Sequence, residues 1–301
     1  MQIADVRIFL AVAGAGSLSA AARQLGVGPM QVSRRIAILE QELGVRLFHR
    51  TTRSVALTAE GEAFFPYANT IADAEESARG ELRPSPAAAS GTLKLTAPSV
   101  FGQTIVLPLL PRLLERHPDL RIDLDLSDRV LDIAGQGLDL ALRIATLGDS
   151  ELVARRIAAN PRIICAAPHY LRRSGMPARL ADLDVHECIV LHSVPRWPLV
   201  VDGQLQRRRV QARVTTSSVD AVRGAALQGL GLALLTYWDV HRQLAEGELV
   251  PVVLEDAAME DLSVWALTPT RRYVPARVKI FLDALEQELA GREQAGASRI
   301  T

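Results

Sequence analysis

The stretch SLSAAARQLGVGPMQVSRRIAILEQELG, residues 17–44, decides the fold of the N-terminal part of the chain. Two helical patterns flank a short Gly-Val-Gly-Pro break. Ser17 or Ser19 is suited to cap the first helix, because a side-chain hydroxyl accepts a free amide hydrogen in the first turn. Gly26 suits the left-handed position that ends a helix, and Pro29 suits the first turn of the next. The stretch therefore predicts two helices joined by a tight turn.

Apolar residues recur at helical spacing on both sides of this break and in the segment before it. They predict the buried faces of three helices, which are Val6, Phe9, Leu10 and Ala13, then Ala21, Ala22 and Leu25, then Val32, Ile36, Leu39 and Leu43. The opposite face of the third helix carries Gln31, Ser33, Arg34 and Arg35. This is a helix-turn-helix pattern, in which the second helix of the pair enters the DNA major groove N-terminus first. The alternative is an ordinary three-helix bundle with a solvated arginine face.

The next segment predicts a wing and a long helix. Residues 46–58, RLFHRTTRSVALT, alternate around a Thr-Thr-Arg-Ser turn, as in a short β-hairpin. Arg50 and Arg53 near its tip are placed to reach phosphates or the minor groove. Residues 59–84 then form a long helical pattern with an apolar stripe, for which Thr58 is a plausible cap. A lone helix of this length needs a partner for its stripe, and a second copy of the chain is the simplest one.

Charge is distributed unevenly along the chain. The whole chain of 301 residues has a formal net charge of zero. Residues 1–58, in contrast, contain seven arginines and three acidic residues, which gives them a net charge of +4. The remainder is therefore net acidic, and this asymmetry favours one nucleic-acid-binding end.

Composition sets further bounds. Hydrophobic residues make up 49% and charged residues 23%, which is typical of a globular protein with room for two domains or more. No apolar run approaches the ~20 residues of a membrane span, and the N-terminus does not resemble a signal peptide. These features predict a cytoplasmic location. The two cysteines, Cys165 and Cys188, agree with a reducing compartment and exclude a disulfide framework.

The C-terminal two-thirds of the chain read as two α/β lobes. The small-residue stretch PSPAAASGT, 84–92, predicts a hinge. Strand and helix patterns alternate after it, and the alternation restarts near residue 162, which predicts two mixed sheets covered by helices. A cleft between two such lobes, beyond the ends of the strands, is the expected ligand site.

Several residues are candidates for this cleft. Ser99 in APSVFG, and Ser217 and Ser218 in TTSSVD, lie where a strand is followed by a helix, so free amides there can hold an anion. Plain helix capping is the alternative for all three serines. Arg143, at the end of a strand, is placed to neutralise a carboxylate or to pair with a neighbouring aspartate. The remaining candidates are Val100, Phe101, Ser127, His192 and Trp197, with a core position as the alternative for Phe101.

Residues 9–68, from FLAVAGAGSLSAAARQLG to LTAEGEAFFPYA, closely resemble the N-terminus of LysR-type transcriptional regulators without a gap. The helix pair, the Leu-Phe-x-Arg wing and the Leu-Thr-x-x-Gly linker start follow the family order. One departure lies at VGPMQVSR, 27–34, where relatives usually have Val-Ser-Gln-Pro-Ala-Leu-Ser-Arg. Gly28 replaces the capping serine there, so no operator preference can be transferred from a relative.

The resemblance implies a multidomain α+β chain that binds double-stranded DNA and a small-molecule effector. The implied parts are an N-terminal all-α winged helix-turn-helix at 1–58, a dimerisation helix and hinge at 59–90, and an effector-binding domain with a two-lobed α/β periplasmic-binding-protein-like fold at 91–301. Two crossings between lobes, near 162 and 267, divide that domain into lobe 1 (91–162 and 268–301) and lobe 2 (163–267). The DNA contacts would come from Pro29, Met30, Gln31, Ser33, Arg34 and Arg35, with Arg50 and Arg53 on the wing. We also expect a homodimer or dimer of dimers, contact with RNA polymerase, and no cofactor.

Three other functions fit the sequence less well. An enzyme is disfavoured because the chain lacks Gly-x-Ser-x-Gly, P-loop and His-Glu-x-x-His motifs, and its six histidines have no metal-ligand spacing. A redox sensor remains an alternative, since some family members sense peroxide through a cysteine pair. Cys165 and Cys188 nevertheless lie in apolar strand patterns, whereas a thiol switch needs an exposed, acidified thiolate. A solute-binding module is disfavoured by the basic N-terminus and the missing signal peptide.

Overall fold

A computed structural model describes residues 1–50, 55–82, 90–129, 137–146, 153–269 and 274–300. Its N-terminal part is a helical domain with a two-stranded wing. The elements in chain order are α1 (Ile3–Ala15), α2 (Leu18–Leu25), α3 (Pro29–Leu43), β1 (Phe48–Arg50) and β2 (Val55–Leu57). The strands pair antiparallel, which confirms the predicted hairpin.

The predicted helix-turn-helix signals are present in the structure. The amide of Ala20 donates to Ser17 Oγ at 3.4 Å, so Ser17 caps α2. Gly26 adopts φ 66° at the end of α2, and α3 begins at Pro29. The tight turn therefore follows from the residues that the sequence places there.

A small aromatic core holds the N-terminal helices together. Phe9 is fully buried, and its ring centroid lies 5.2 Å from that of Phe48 and 5.1 Å from that of Phe64. Two predicted core positions are wrong, because Leu25 and Leu43 are each 37% exposed at the ends of their helices. The other members of the predicted faces are buried or partly buried, and they pack in this core.

The long helix α4 (Ala59–Leu82) starts at a tightly built junction with the wing. Thr58 Oγ1 accepts the amide of Gly61 at 3.0 Å and donates to the carbonyl of Arg46 at 2.6 Å. The first part of the apolar stripe packs in the helical core through Phe64, whereas Ala78 is exposed. The chain itself therefore covers one end of the stripe that was predicted to pair with a second copy.

The rest of the chain is an α/β unit with two five-stranded sheets. Its first part contains β3 (Gly91–Ala97), α5 (Ser99–Phe101), a π-helical turn (Gly102–Val106), α6 (Leu107–Arg116), β4 (Leu120–Leu126), β5 (Leu140–Ala145) and β6 (Val153–Ala159). Its middle part contains β7 (Arg162–Ala166), α7 (Pro168–Ser174), a 3-10 turn (Leu180–Asp184), β8 (Cys188–Leu191), β9 (Trp197–Val201), β10 (Gln204–Arg208), β11 (Ala212–Thr216), α8 (Val219–Leu227), β12 (Leu232–Thr236), α9 (Tyr237–Ala245), β13 (Val250–Val252) and β14 (Ala258–Met259). The chain then returns with β15 (Ser263–Thr268) and α10 (Ala276–Ile300).

Each sheet forms one lobe. Lobe 1 has the strand order β4-β3-β5-β15-β6, and α5, α6 and α10 contribute to its core. Lobe 2 has the order β11-β8-β12-β7-β13, with a small sheet β10-β9-β14 beside it. The two-lobed α/β prediction is confirmed. No described helix is long and apolar enough to span a membrane.

The two crossings between lobes lie side by side. The first runs through residues 160–161, between β6 and β7, close to the predicted 162. The second lies at 260–262 rather than near 267, because β15 pairs with β5 and β6 and so belongs to lobe 1. The amide of Asn160 donates to the carbonyl of Leu262 at 2.9 Å, which joins the crossing segments. As predicted, the last helix returns to lobe 1.

Candidate functional site

The N-terminal end of α3 presents an exposed face. Val32, Ile36 and Leu39 are fully buried on the inner side of the helix and fix its orientation. Met30, at the start of α3, is 87% exposed, although its side chain is large and apolar. The other exposed residues of this end are Pro29, Gln31 and Arg34, whereas Ser33 is half-buried. This arrangement fits insertion of the helix end into a groove, where an exposed thioether can contact a base edge.

Arg35 differs from its neighbours, because its side chain packs against α1. Its guanidinium donates to Asp5 Oδ1 at 3.0 Å and to Gln2 Oε1 at 2.9 Å. Asp5 is buried, with 1% of its side chain exposed, so Arg35 neutralises a charge inside the helical core. The geometry assigns Arg35 to positioning α3, and its predicted contact with DNA stays a prediction.

The wing is fixed to the same helix. Glu40 Oε1, on α3, accepts the amides of Leu47 at 2.9 Å and Phe48 at 3.2 Å. Arg50 ends β1, opposite Val55, which places it at the base of the wing loop. Arg53 lies outside the described residues. The start of the wing is therefore fixed to the C-terminal part of α3, and the DNA contacts of Arg50 and Arg53 stay predictions.

A cavity of about 420 Å³ lies between the two lobes. Four of the predicted cleft residues line it, namely Val100, Ser127, Arg143 and Trp197. Thr236 and Asp239 also line it, from lobe 2 at the start of α9, although neither was predicted as a cleft residue. Their signal was the spacing Thr-x-x-Asp before a helix, since Thr236 and Asp239 form a capping box.

Five predicted cleft residues lie outside this cavity. Ser218 Oγ accepts the amide of Ala221 at 3.3 Å, so Ser218 is a helix cap, which was the alternative interpretation. The amide of Ser99 is already used, because it donates to Asp128 Oδ1 at 2.9 Å. Phe101 is fully buried in the core of lobe 1. The other two, His192 and Ser217, are exposed.

Arg143 lines the cavity from β5 and has one buried guanidinium nitrogen without a hydrogen-bond partner among the described residues. One guanidinium nitrogen donates to the carbonyl of Leu142 at 2.9 Å. The other terminal nitrogen, Nη2, is buried and has no hydrogen-bond partner within the described part of the chain. Burial lowers the pKa of Arg143, and the negative charges of Asp125 and Asp128 oppose that shift. Arg143 therefore brings a positive charge to the lobe 1 wall of the cavity.

Asp239 is the acidic counterpart on the lobe 2 wall. Its Oδ2 accepts the amide of Thr236 at 3.2 Å and the hydroxyl of Thr236 at 2.7 Å. Burial raises the pKa of Asp239 to about 6, although the Thr236 hydrogen bonds and the charge of Arg223 act in the opposite direction. The cavity therefore has a basic side at Arg143 and an acidic side at Asp239.

The two cysteines lie on opposite faces of the lobe 2 sheet. Cys165 on β7 packs with Val222 and Val240, whereas Cys188 on β8 packs with Tyr170. The strand β12 lies between them, which separates their backbones by about 10 Å, too far for a disulfide. Both side chains are buried, and burial raises the pKa of each thiol to about 12. This is the environment of unreactive structural cysteines.

A winged helix-turn-helix joined by a long helix to a two-lobed domain with a cavity defines a ligand-responsive DNA-binding regulator. Residues 3–62 match the family model of the bacterial regulatory helix-turn-helix protein, lysR family, and residues 86–290 match that of the LysR substrate binding domain. The chain belongs to the LysR family of transcriptional regulators. It is a transcription regulator with an effector-binding domain, and it is not an enzyme.

Known LysR-type regulators are similar to this chain along nearly its whole length. The HTH-type transcriptional regulator DmlR of Escherichia coli is 35% identical over 290 residues, which cover 95% of this chain and 94% of DmlR. The structure of CrgA, a LysR-type regulator from Neisseria meningitidis, is 30% identical with a TM-score of 0.62, covering 96% of this chain and 99% of CrgA. Full-length AphB, a virulence activator of Vibrio cholerae, is 26% identical with a TM-score of 0.57, covering 95% and 98%. Members of the family bind DNA and small-molecule effectors and form oligomers.

Proposed function

We propose that this regulator controls transcription in response to a small anionic effector bound in the cavity between its lobes. The observation that carries the proposal is the place of Arg143, a cationic side chain of lobe 1 that lines the cavity and donates to a backbone carbonyl rather than to a carboxylate. Because the positive charge of Arg143 attracts an anion, the cavity is suited to a negatively charged ligand. No cofactor is part of the proposal.

The DNA contacts are proposed for the exposed end of α3 and for the wing. Gln31 and Arg34 are suited to base edges in the major groove, with Pro29 and Met30 at the N-terminal end of the helix. Arg50 and Arg53 would contact the backbone or the minor groove beside it. A homodimer or a dimer of dimers would present two or four such surfaces to an operator. Contact with RNA polymerase and a cytoplasmic location belong to the same proposal.

The start of α9 offers a route from the cavity to the arrangement of the lobes. Thr236 and Asp239 line the cavity, and Trp238 between them is fully buried in the core of lobe 1. The indole of Trp238 donates to the carbonyl of Ala159 at 2.9 Å, and its amide donates to Asn160 Oδ1 at 3.0 Å. A ligand that contacts α9 and lobe 1 together can favour one arrangement of the lobes. The resulting shift is no larger than its differential affinity for the two arrangements.

The DNA-binding part of the proposal is tested on the DNA just upstream of the regulator's own gene. We expect purified protein to bind this duplex more tightly than a scrambled one, with an affinity that falls steeply as salt is raised. Arg34→Ala should weaken specific binding by ~1–3 kcal/mol if Arg34 reads a base. Arg116→Ala removes an equal charge from an exposed site on α6, so it serves as the matched control. Equal losses in both variants would reject the assignment of Arg34.

A cysteine-based redox response is the alternative sensing mode. The buried positions of Cys165 and Cys188, on opposite faces of one sheet, argue against it. We expect peroxide treatment to leave DNA binding unchanged in the wild type. A peroxide effect that disappears in Cys165→Ser or Cys188→Ser would replace the anionic-effector proposal with the redox alternative.

A further inference from the structure

We propose that His241 is a pH-sensitive switch between the two lobes, in which the neutral imidazole connects α9 to α10 through Arg292 and protonation breaks the connection. The helix α9 belongs by sequence to lobe 2, whereas α10 belongs to lobe 1. Neither His241 nor Arg292 lines the cavity between the lobes, so the switch does not depend on the proposed effector. It makes acidity a separate signal that acts on the contact between the lobes.

The imidazole of His241 makes one hydrogen bond within its own helix and one across the junction. Its Nδ1 lies 3.0 Å from the carbonyl oxygen of Trp238, and its Nε2 lies 3.1 Å from Arg292 Nη1. Arg292 also donates to the carbonyl of Thr104 in the π-helical turn at 3.4 Å and to Glu288 Oε1 at 2.8 Å. One guanidinium therefore connects α9 to two parts of lobe 1.

The two hydrogen-bond partners of His241 determine which form of the imidazole fits. A carbonyl oxygen only accepts, so Nδ1 must carry a hydrogen when it binds Trp238. A guanidinium only donates, so Nε2 must present its lone pair to Arg292. Only the neutral ring with its hydrogen on Nδ1 satisfies both partners. A proton on Nε2 would place two donors and two cations against each other, so the contact with Arg292 would open.

The surroundings of His241 also favour the neutral ring. Burial lowers the pKa of His241 below its ordinary value of 6.5, and the hydrogen bond to the Trp238 carbonyl partly opposes that shift. The positive charges of three nearby arginines lower this pKa further, and these are Arg292, Arg242 and Arg223. The aromatic rings of Tyr237 and Trp238 cover part of the imidazole, with centroids 6.2 and 5.4 Å from its own.

Acidic groups near the switch largely balance these arginines. Each arginine has an acidic partner one turn away, and the pairs are Arg292 with Glu288, Arg242 with Glu246, and Arg223 with Asp220. Asp239, at the start of α9, is buried and accepts hydrogen bonds from Thr236. The net charge around the ring is therefore small. Protonation of His241 is opposed chiefly by burial and by the donor that Arg292 directs at Nε2.

The direction of the pH effect follows from these contacts. Because the pKa of His241 is lower in the native state than in the unfolded chain, the unfolded chain binds this proton more readily. The contact with Arg292 is complete above pH 6.5 and is lost as pH falls from 6.5 through the native pKa. Asp239 acts in the opposite direction, since burial raises its pKa to about 6. Variants of His241 and of its partner are therefore needed to separate the two groups.

Hydrogen exchange of the full chain, read by mass spectrometry at pH 7.5 and 5.0, tests the switch. Rates are corrected for the intrinsic effect of pH on exchange. We expect acid to lower protection in the part of α10 around Arg292 about fivefold or more, because a charged hydrogen bond is lost. His241→Gln keeps a neutral acceptor near the position of Nε2, so its protection should not change with pH. Arg292→Met should show the low protection already at pH 7.5.

An NMR titration of the His241 imidazole provides a second measurement, which lost packing alone would not change. Its signal is identified by its absence in His241→Gln. We expect the pKa of His241 to lie below 6.5 in the wild type and to rise in Arg292→Met, because the opposing donor is gone. Arg242→Met is the matched control, since Arg242 is an exposed neighbour that binds Glu246. This control should raise the pKa of His241 less.

Three results would overturn the switch. If protection of α10 in the wild type is the same at both pH values, protonation does not open the contact. If His241→Gln loses as much protection in acid as the wild type, another group such as Asp239 causes the response. If Arg292→Met and Arg242→Met raise the pKa of His241 equally, the charge of the region acts on the ring and the hydrogen bond does not. None of these results bears on the proposed effector, which is tested in the cavity.

Discussion

At the scale of single residues, Gly61 explains why the start of the linker helix tolerates no side chain. An added Cβ at this position would lie 2.1 Å from the carbonyl oxygen of Leu47, which is backbone and cannot rotate away. We expect Gly61→Ala to lower the free energy of unfolding by about 1–3 kcal/mol, because the wing and α4 must separate. Urea denaturation measures the change. Gly14→Ala is the matched control, since nothing lies within 4 Å of its added Cβ in α1. Equal effects in both variants would show that the junction is not tight.

Asp239 gives a residue-scale prediction about pH. Its pKa rises from the ordinary 3.8 to about 6, chiefly because burial disfavours the charged form. The native state therefore holds this proton more tightly than the unfolded chain does. The protonated carboxyl of Asp239 contributes to stability fully below pH 3.8. This contribution is lost as pH rises through about 6, which lowers the free energy of unfolding by roughly 3 kcal/mol. We expect Asp239→Asn to lack this loss, measured as the difference in unfolding free energy between the two proteins across pH 4 to 7. A difference that does not change with pH would contradict the assignment.

At the scale of elements, the ion pair between Asp5 and Arg35 holds α1 and α3 together. Asp5 is nearly inaccessible to water, so removing Arg35 leaves a buried carboxylate without a counter-charge. We expect Arg35→Met to lower the free energy of unfolding by about 2–4 kcal/mol, and Asp5→Asn combined with Arg35→Met to recover part of that loss. Chemical denaturation of the single and double variants measures both the loss and the recovery of unfolding free energy. If Arg35→Met weakens only DNA binding and leaves stability unchanged, Arg35 is a DNA contact rather than a positioning residue.

How far the sequence predicted these elements depends on whether a signal is local. Ser17, Gly26 and Pro29 act on their own helix ends, so the helix-turn-helix could be derived from spacing alone. The role of Arg35 could not, because a helical wheel places it on the outer face and the buried partner lies 30 residues away. The cleft shows the same limit. Arg143 was found from its position at the end of a predicted strand. Ser218 proved to be a local helix cap, and Asp239 was missed.

At the scale of the whole molecule, one buried side chain connects the two lobes. Trp238 belongs by sequence to lobe 2, since α9 lies between β12 and β13, yet it is fully buried in the core of lobe 1. Its indole and its amide also bind the first crossing segment, at Ala159 and Asn160. Separating the lobes therefore requires exposure of a large aromatic ring and the loss of two hydrogen bonds. The lobes should unfold as one cooperative unit.

Trp238→Ala tests this cooperativity. We expect calorimetry to show one transition for the two lobes in the wild type, and two separate transitions in the variant, with a total destabilisation of about 3–5 kcal/mol. Trp265→Ala is the matched control, because the indole of Trp265 donates to Ala145 within lobe 1 and does not join the lobes. This control should lower the melting temperature while keeping a single transition.

Splitting in both variants would mean that loss of any large ring separates the lobes, and a single transition in Trp238→Ala would place the coupling in the crossing segments alone. A split confined to Trp238→Ala would make α9 the element through which a ligand in the cavity acts on both lobes.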